Sequence, residues 1–224
     1  NEFTNVFKFI LLVGSLTIFH YTYKHLKFLK ILKIEYFTIS LLGLIGTMIM
    51  ISANSLLMLY LGIELLSLSL YALIGFNKKS SLSSEAAIKY YVLGAMSSGI
   101  LLFGISLIYG FTGSIGYDDI ASQLINIDIN SVDYIAIIFG IIFITASLCF
   151  KFGAAPFHMW VPDIYQGSLI STTILLSTLP KIAVFIVFLK LYFIPFILLR
   201  EVWSDILIFV GMLSIVIGSL FALT

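Results

Sequence analysis

Cysteine, charge and nucleotide-binding glycine patterns are what this sequence lacks. A single cysteine, Cys149, excludes a disulfide within the chain, and without a CxxC pair nothing is present to hold zinc or an iron–sulfur cluster. Neither a GxGxxG turn nor a Walker-type loop occurs, so binding of NADH, flavin or ATP by these residues has no support, and no cofactor and no metal is expected. Charged residues are only 10% of the 224 and sum to +1, which leaves no basic patch suited to nucleic acid.

What is present is apolar. Hydrophobic residues are 61% of the chain and the mean hydropathy is +1.14, far outside the range of water-soluble domains. The solvent is a bilayer. Runs of about 20 apolar residues, the length that crosses about 30 Å of hydrocarbon, predict seven spans at 3–23, 35–53, 54–76, 86–111, 132–155, 169–195 and 203–224. The fold class is therefore all-α, a polytopic membrane protein. Lys8 sits early in the first run and no small-residue cleavage site follows, so 3–23 is expected to be a retained helix. The opening Asn1 implies that an initiator methionine is missing. Phe, Ile, Tyr, Asn and Lys, all with AT-rich codons, are abundant, which points to a genome of the organellar kind.

Alternate loops differ in sign. The connection 24–34 carries Lys24, Lys27, Lys30 and Lys33, and 77–85 carries Lys78 and Lys79. The loop 112–131 has Asp118, Asp119 and Asp128 with no Lys or Arg. The positive-inside rule then puts the N-terminus and the acidic loop outside, and the Lys-rich loops with the C-terminus inside.

A charge at membrane depth costs roughly 2.5–3.5 kcal/mol on insertion scales, so each one calls for an account. Glu64 lies near the middle of 54–76, beside Gly62, Ser67 and Ser69; it is a functional acid or a side chain that merely bonds a neighbouring helix. Lys181 follows Pro180 near the centre of 169–195, where the proline frees backbone carbonyls that water or the ammonium can meet. Lys190, nearer the helix end, reads as a snorkelling side chain. Lys89 stands four residues after Glu85; a surface ion pair and a proton entry point both fit it.

The stretch 151–168 is the least regular. Gly153, Pro156, Pro162 and Gly167 do not suit one straight helix, yet the flanks are strongly apolar. A helix that breaks and resumes at membrane depth is expected, and such breaks are tolerated where the loosened backbone faces protein or water. Lys151 stands at the break. His158 lies close by and serves either as a proton relay or as a satisfied structural residue. Cys149 reads as a small apolar filler, and Gly94, Ala95, Ser98 and Gly99 of LGAMSSG as a close-packing face without chemistry.

LGIELLSLSLYAL around Glu64, EAAIKYYVLGAMSSGILLFGISLIYGFTGS around Lys89, FKFGAAPFHMWVPDIYQGS around Lys151 and LPKIAVF around Lys181 resemble the antiporter-like membrane subunits of respiratory complex I, in particular the subunit 2 family of NADH dehydrogenase. The resemblance runs from about 54 to 190 and implies proton translocation coupled to electron transfer in other subunits. By motif, it gives the translocating roles to Glu64, Lys151 and Lys181, with Lys89 and His158 as accessory path residues. It implies NADH and ubiquinone sites elsewhere in a complex, other membrane-arm subunits as partners, and residence in the mitochondrial inner membrane, with a bacterial plasma membrane as the alternative.

The family has two inverted five-helix repeats. Here 1–34 would be an N-terminal helix with a Lys-rich inner loop, 35–195 the first repeat with its discontinuous helix, and 196–224 one further helix. A second polypeptide carrying the other repeat is expected against 169–195 and 203–224; the alternative is a reduced subunit. Two other functions stay open, a multisubunit cation/proton antiporter and a structural membrane subunit whose pumping has decayed.

Overall fold

In the computed structural model, which describes residues 2–125, 127 and 131–223, serine caps open three of the membrane-length helices. Ser55, Ser80 and Ser131 sit in extended conformation, and their hydroxyls accept from the amides of Met58, Ser83 and Tyr134. Each satisfies one of the orphan donors of a helix start. The helices are α1 (Glu2–Phe28), α2 (Ile34–Ser52), α3 (Leu56–Ile74), α4 (Ser81–Thr112), α5 (Tyr117–Leu124), α6 (Val132–Phe152), α7 (Trp160–Gly167), α8 (Ile170–Phe193) and α9 (Arg200–Leu223), the last preceded by a 3-10 turn at Ile197–Leu199. Seven of these, all but α5 and α7, are long and apolar enough to cross a bilayer. This is a multi-pass, all-helical membrane protein.

Two boundaries differ from expectation. Lys24 and Lys27 belong to α1 rather than to a loop, because basic side chains suit the negative end of a helix. The turn comes at Lys30, which adopts a left-handed φ of 56°. Ile31 and Lys30 donate backward to the carbonyls of Leu26 and Lys27, a Schellman closure made without glycine. Likewise α4 starts at Ser81, behind its Ser80 cap and five residues ahead of the apolar run. The Lys-rich turns, now 29–33 and 75–80, share one end of the bundle. At the other end, α5 carries Asp118 and Asp119; Asp128 and Asn1 lie outside the described residues. The acidic segment is tied down where Leu56 donates to Ile115 O at 2.9 Å and Tyr117 to Asn54 O at 3.0 Å.

The long helix α4 organises the site. At 1.5 Å per residue its 32 residues span about 48 Å, more than the hydrocarbon requires. Helix α6 lies antiparallel against it. Gly104 and Gly140 let the backbones touch, since a Cβ on Gly104 would stand 2.8 Å from Gly140 O. One level on, the hydroxyls of Ser97 and Ser147 meet at 2.9 Å. Helix α6 then ends, but α7 resumes along the same α4. Trp160 packs on Tyr90 with ring centroids 4.9 Å apart, Asp163 reaches Lys89, and Gly167 fits against Leu82 and Ala86. The expected break is present, roughly 18 Å short of the Lys-rich end of α4 by this register.

Candidate functional site

Gly153 ends α6. Its φ of 76° is left-handed, which glycine adopts without strain, and the closing amides of Gly153 and Ala154 return to Phe150 O and Cys149 O. Side chains complete the cap. Trp160 Nε1 donates to Phe150 O at 3.0 Å, and the Lys181 ammonium donates to Phe152 O. From α9, Ser214 accepts the Ala155 amide at 3.0 Å. A helix end at this depth meets protein donors rather than lipid, as an apolar solvent demands.

Lys151, in the last turn of α6, is 9% exposed. Its ammonium donates to Ser67 Oγ of α3 at 2.9 Å and approaches Ser98 Oγ of α4 at 3.5 Å. A cavity of about 10 Å3, room for about one water, borders it among Ser67, Tyr90 and Pro180. Ser98 is thus a contact of the charge, which corrects its reading as pure packing. Of the other small residues there, Gly94 seats the Tyr71 hydroxyl, whereas Ala95 is exposed and Gly99 faces open space.

Glu64 stands one helical turn from Ser67 on the same face of α3, within electrostatic reach of Lys151, Tyr60 and Tyr71. Its Oε1 is buried without a hydrogen-bond partner, as are both ring nitrogens of His158. Glu64 and Lys151 do not form an ion pair. Among the described residues the ion pairs found are Lys89 with Glu85 and Lys89 with Asp163, each at 2.9 Å. The first was expected from spacing; the second joins α4 to α7 and was not.

Lys181 is brought to the break from α8, which stays helical through Pro180. Its ammonium lies 5.5 Å from the Phe152 ring centre and 5.2 Å from that of Trp160, so cation–π contact adds to the carbonyl bond. Its partner is the end of α6 rather than a carbonyl freed by its own proline. His158 sits in the 154–159 turn, 5.9 Å from the Phe221 ring of α9.

Lys190 corrects another expectation. It does not snorkel: it is 7% exposed and donates to Ile51 O at 3.1 Å, Ala53 O at 2.5 Å and Asn54 Oδ1 at 3.1 Å. These acceptors close the end of α2, so Lys190 is a C-cap supplied from α8. Cys149 is a buried free thiol, as a filler should be.

Residues 53–224 match the family described as NADH:quinone oxidoreductase/Mrp antiporter, TM. The NADH-quinone oxidoreductase subunit N of Ruthia magnifica is 43% identical over 223 residues, covering 100% of this chain and 46% of that protein. The protein of the same name from Pelagibacter ubique is 40% identical with the same coverage. The chain thus spans less than half the length of the curated relatives it matches. Among solved structures, respiratory complex I from Thermus thermophilus with bound aureothin contains a chain that superimposes with a TM-score of 0.67 at 28% identity, over 84% of this chain and 39% of that one. The Mrp complex from Dietzia sp. shares the fold, with a TM-score of 0.60 at 24% identity over 70% and 28%.

Proposed function

Because this chain belongs to the NADH:quinone oxidoreductase/Mrp antiporter transmembrane family, we propose that it is part of a membrane-arm subunit of an NADH:quinone oxidoreductase and carries protons across the bilayer. Electron transfer and its cofactors are assigned to other subunits. The observation that carries this reading is the setting of Lys151. A buried ammonium at a helix break is held by neutral hydroxyls, and Glu64, one turn from Ser67 along α3, keeps a buried oxygen without a partner, so Lys151 can give up a proton without breaking an ion pair. Glu64 and Lys181 flank it as exchange partners. Lys89, at the Lys-rich end, and His158, in the turn, are accessory groups on the path.

The region 35–195 acts as one antiporter-like repeat, with 1–34 and 196–224 as flanking helices. A second repeat, supplied in cis or in trans, packs against α8 and α9, and other membrane-arm subunits surround the pair. The membrane is an energy-conserving one. Bacterial relatives favour a plasma membrane over the mitochondrial inner membrane that the AT-rich composition indicates.

The test is proton uptake by vesicles that contain the assembled complex. Glu64→Gln and Lys151→Met are each expected to abolish most pumping while assembly persists; normal pumping in either assembled variant refutes the reading. The second reading, a cation/proton antiporter of the Mrp type, is favoured by the family description and the Dietzia fold match. Co-purification with flavin and iron–sulfur subunits rejects it.

A further inference from the structure

Three helices converge on one ammonium without a carboxylate touching it. Ser67 is 2% exposed and Ser98 5% exposed, so both hydroxyls are inside the bundle. Ser67 has already committed its own proton, donating to Ile63 O at 2.7 Å, and therefore faces Lys151 as an acceptor only. A free hydroxyl would adapt to either protonation state of the amine; this one accepts from it and has no proton to offer. Glu64, three residues earlier on the same helix face, has a buried oxygen with no partner. In a low-dielectric interior an ammonium released from Ser67 would close on that oxygen, because the attraction between unlike charges strengthens as water is removed.

On the premise that Lys151 exchanges protons, we propose that Ser67 is a positioning residue of that exchange: its hydroxyl holds the Lys151 ammonium one helical turn short of Glu64 and prevents the two from collapsing into a locked ion pair. Ser98 braces the same ammonium more loosely from α4. The separation of base and acid is thus fixed by a neutral side chain rather than by the distance between helix axes. Removing the hydroxyl converts a breakable contact into a persistent one, and the cycle stalls with Lys151 charged.

The experiment uses the assembled native complex in vesicles, with NADH-driven proton uptake measured per NADH oxidised. Ser67→Ala is expected to lower pumping about tenfold, the population shift that loss of a hydrogen bond to a charged group brings. Ser67→Thr keeps the hydroxyl and is expected to restore pumping to near the parent level, which a purely steric role would not produce. Should Ser67→Ala not assemble, Ser67→Cys retains the volume with a weak acceptor and is expected to pump well below the parent. Parent-level pumping by an assembled Ala or Cys variant, or equal losses in Ala and Thr, overturns the proposal. If Lys151→Met abolishes pumping in the same preparation, the relay reading survives that failure; if Lys151→Met also pumps normally, it is the relay reading that has failed.

Discussion

Lys151 and Lys190 are buried to almost the same degree, at 9% and 7% exposure, yet their surroundings are opposite in kind. Lys190 donates to the main-chain carbonyls of the buried Ile51 and Ala53, which would otherwise be orphaned inside the bundle, and to the side-chain oxygen of Asn54 just beyond the end of α2. Lys151 meets two hydroxyls, one of them at the limit of hydrogen bonding, with a water-sized void beside it. The first lysine completes a helix. The second is accommodated by groups that need nothing from it. Burial of a charge therefore does not mark function; what the partners lose when the charge leaves does.

The largest effect that sharpens this contrast is a split between two readouts. Lys151→Met removes a charge that no main-chain group depends on, so near-complete loss of proton uptake with a normal amount of assembled complex is expected. Lys190→Met leaves acceptors unpaired at about 1–3 kcal/mol each, so thermal stability and steady-state assembly fall first, measured by the melting of the solubilised complex. The contrast breaks if the Lys190 variant assembles normally and fails to pump.

Next in size is Gly153→Ala. It places a Cβ at a left-handed φ and 2.9 Å from Lys181 Nζ, with a cost of about 1–2 kcal/mol in strain before any displacement of the lysine. A lower melting temperature and a weakened pump are expected together. Trp160→Phe removes one donor from the α6 cap while keeping an aromatic ring, with an expected loss of about 1 kcal/mol and mild uncoupling. The smallest effect belongs to Asp163→Asn at the exposed Lys89 pair. Surface ion pairs contribute little, so stability is expected to stay within experimental error while the salt dependence of proton uptake flattens.

Much of this was legible in the sequence, for a reason specific to bilayers. The hydrocarbon thickness sets helix length, and charges are rare enough that Glu64, Lys151 and Lys181 stand out unaided. Gly153, Pro156 and Pro162 mark the break because each disfavours a continuing helix. The serines were less legible. Most membrane serines bond their own backbone, as Ser40 does to Tyr36 O and Ser69 to Leu65 O, and nothing in the spacing separates Ser67 and Ser98 from them. Lys190 was misread because its partners lie 136 to 139 residues away and exist only once α2 ends beside α8. The same holds for Asp163, whose link to Lys89 spans 74 residues. The α1 boundary differs because the apolar run stops at Lys24 although the helical hydrogen bonding does not.

The fracture in α6–α7 is splinted along the unbroken α4, and that has a mechanical consequence. One fragment is clamped by the Gly104–Gly140 contact and the Ser97–Ser147 hydroxyls, the other by Trp160 on Tyr90 and Gly167 against Leu82 and Ala86, with the Lys89–Asp163 pair between them. Only 153–159 between them is free of regular hydrogen bonding. Helix α7 is then a stiff arm of about 12 Å, paired to α4 near its middle through Asp163 and bearing at its dry end the indole that meets both Phe150 O and Lys181. Asp163 of the exposed Lys89 pair and the buried indole therefore sit on one rigid element, so surface and interior share a single strut.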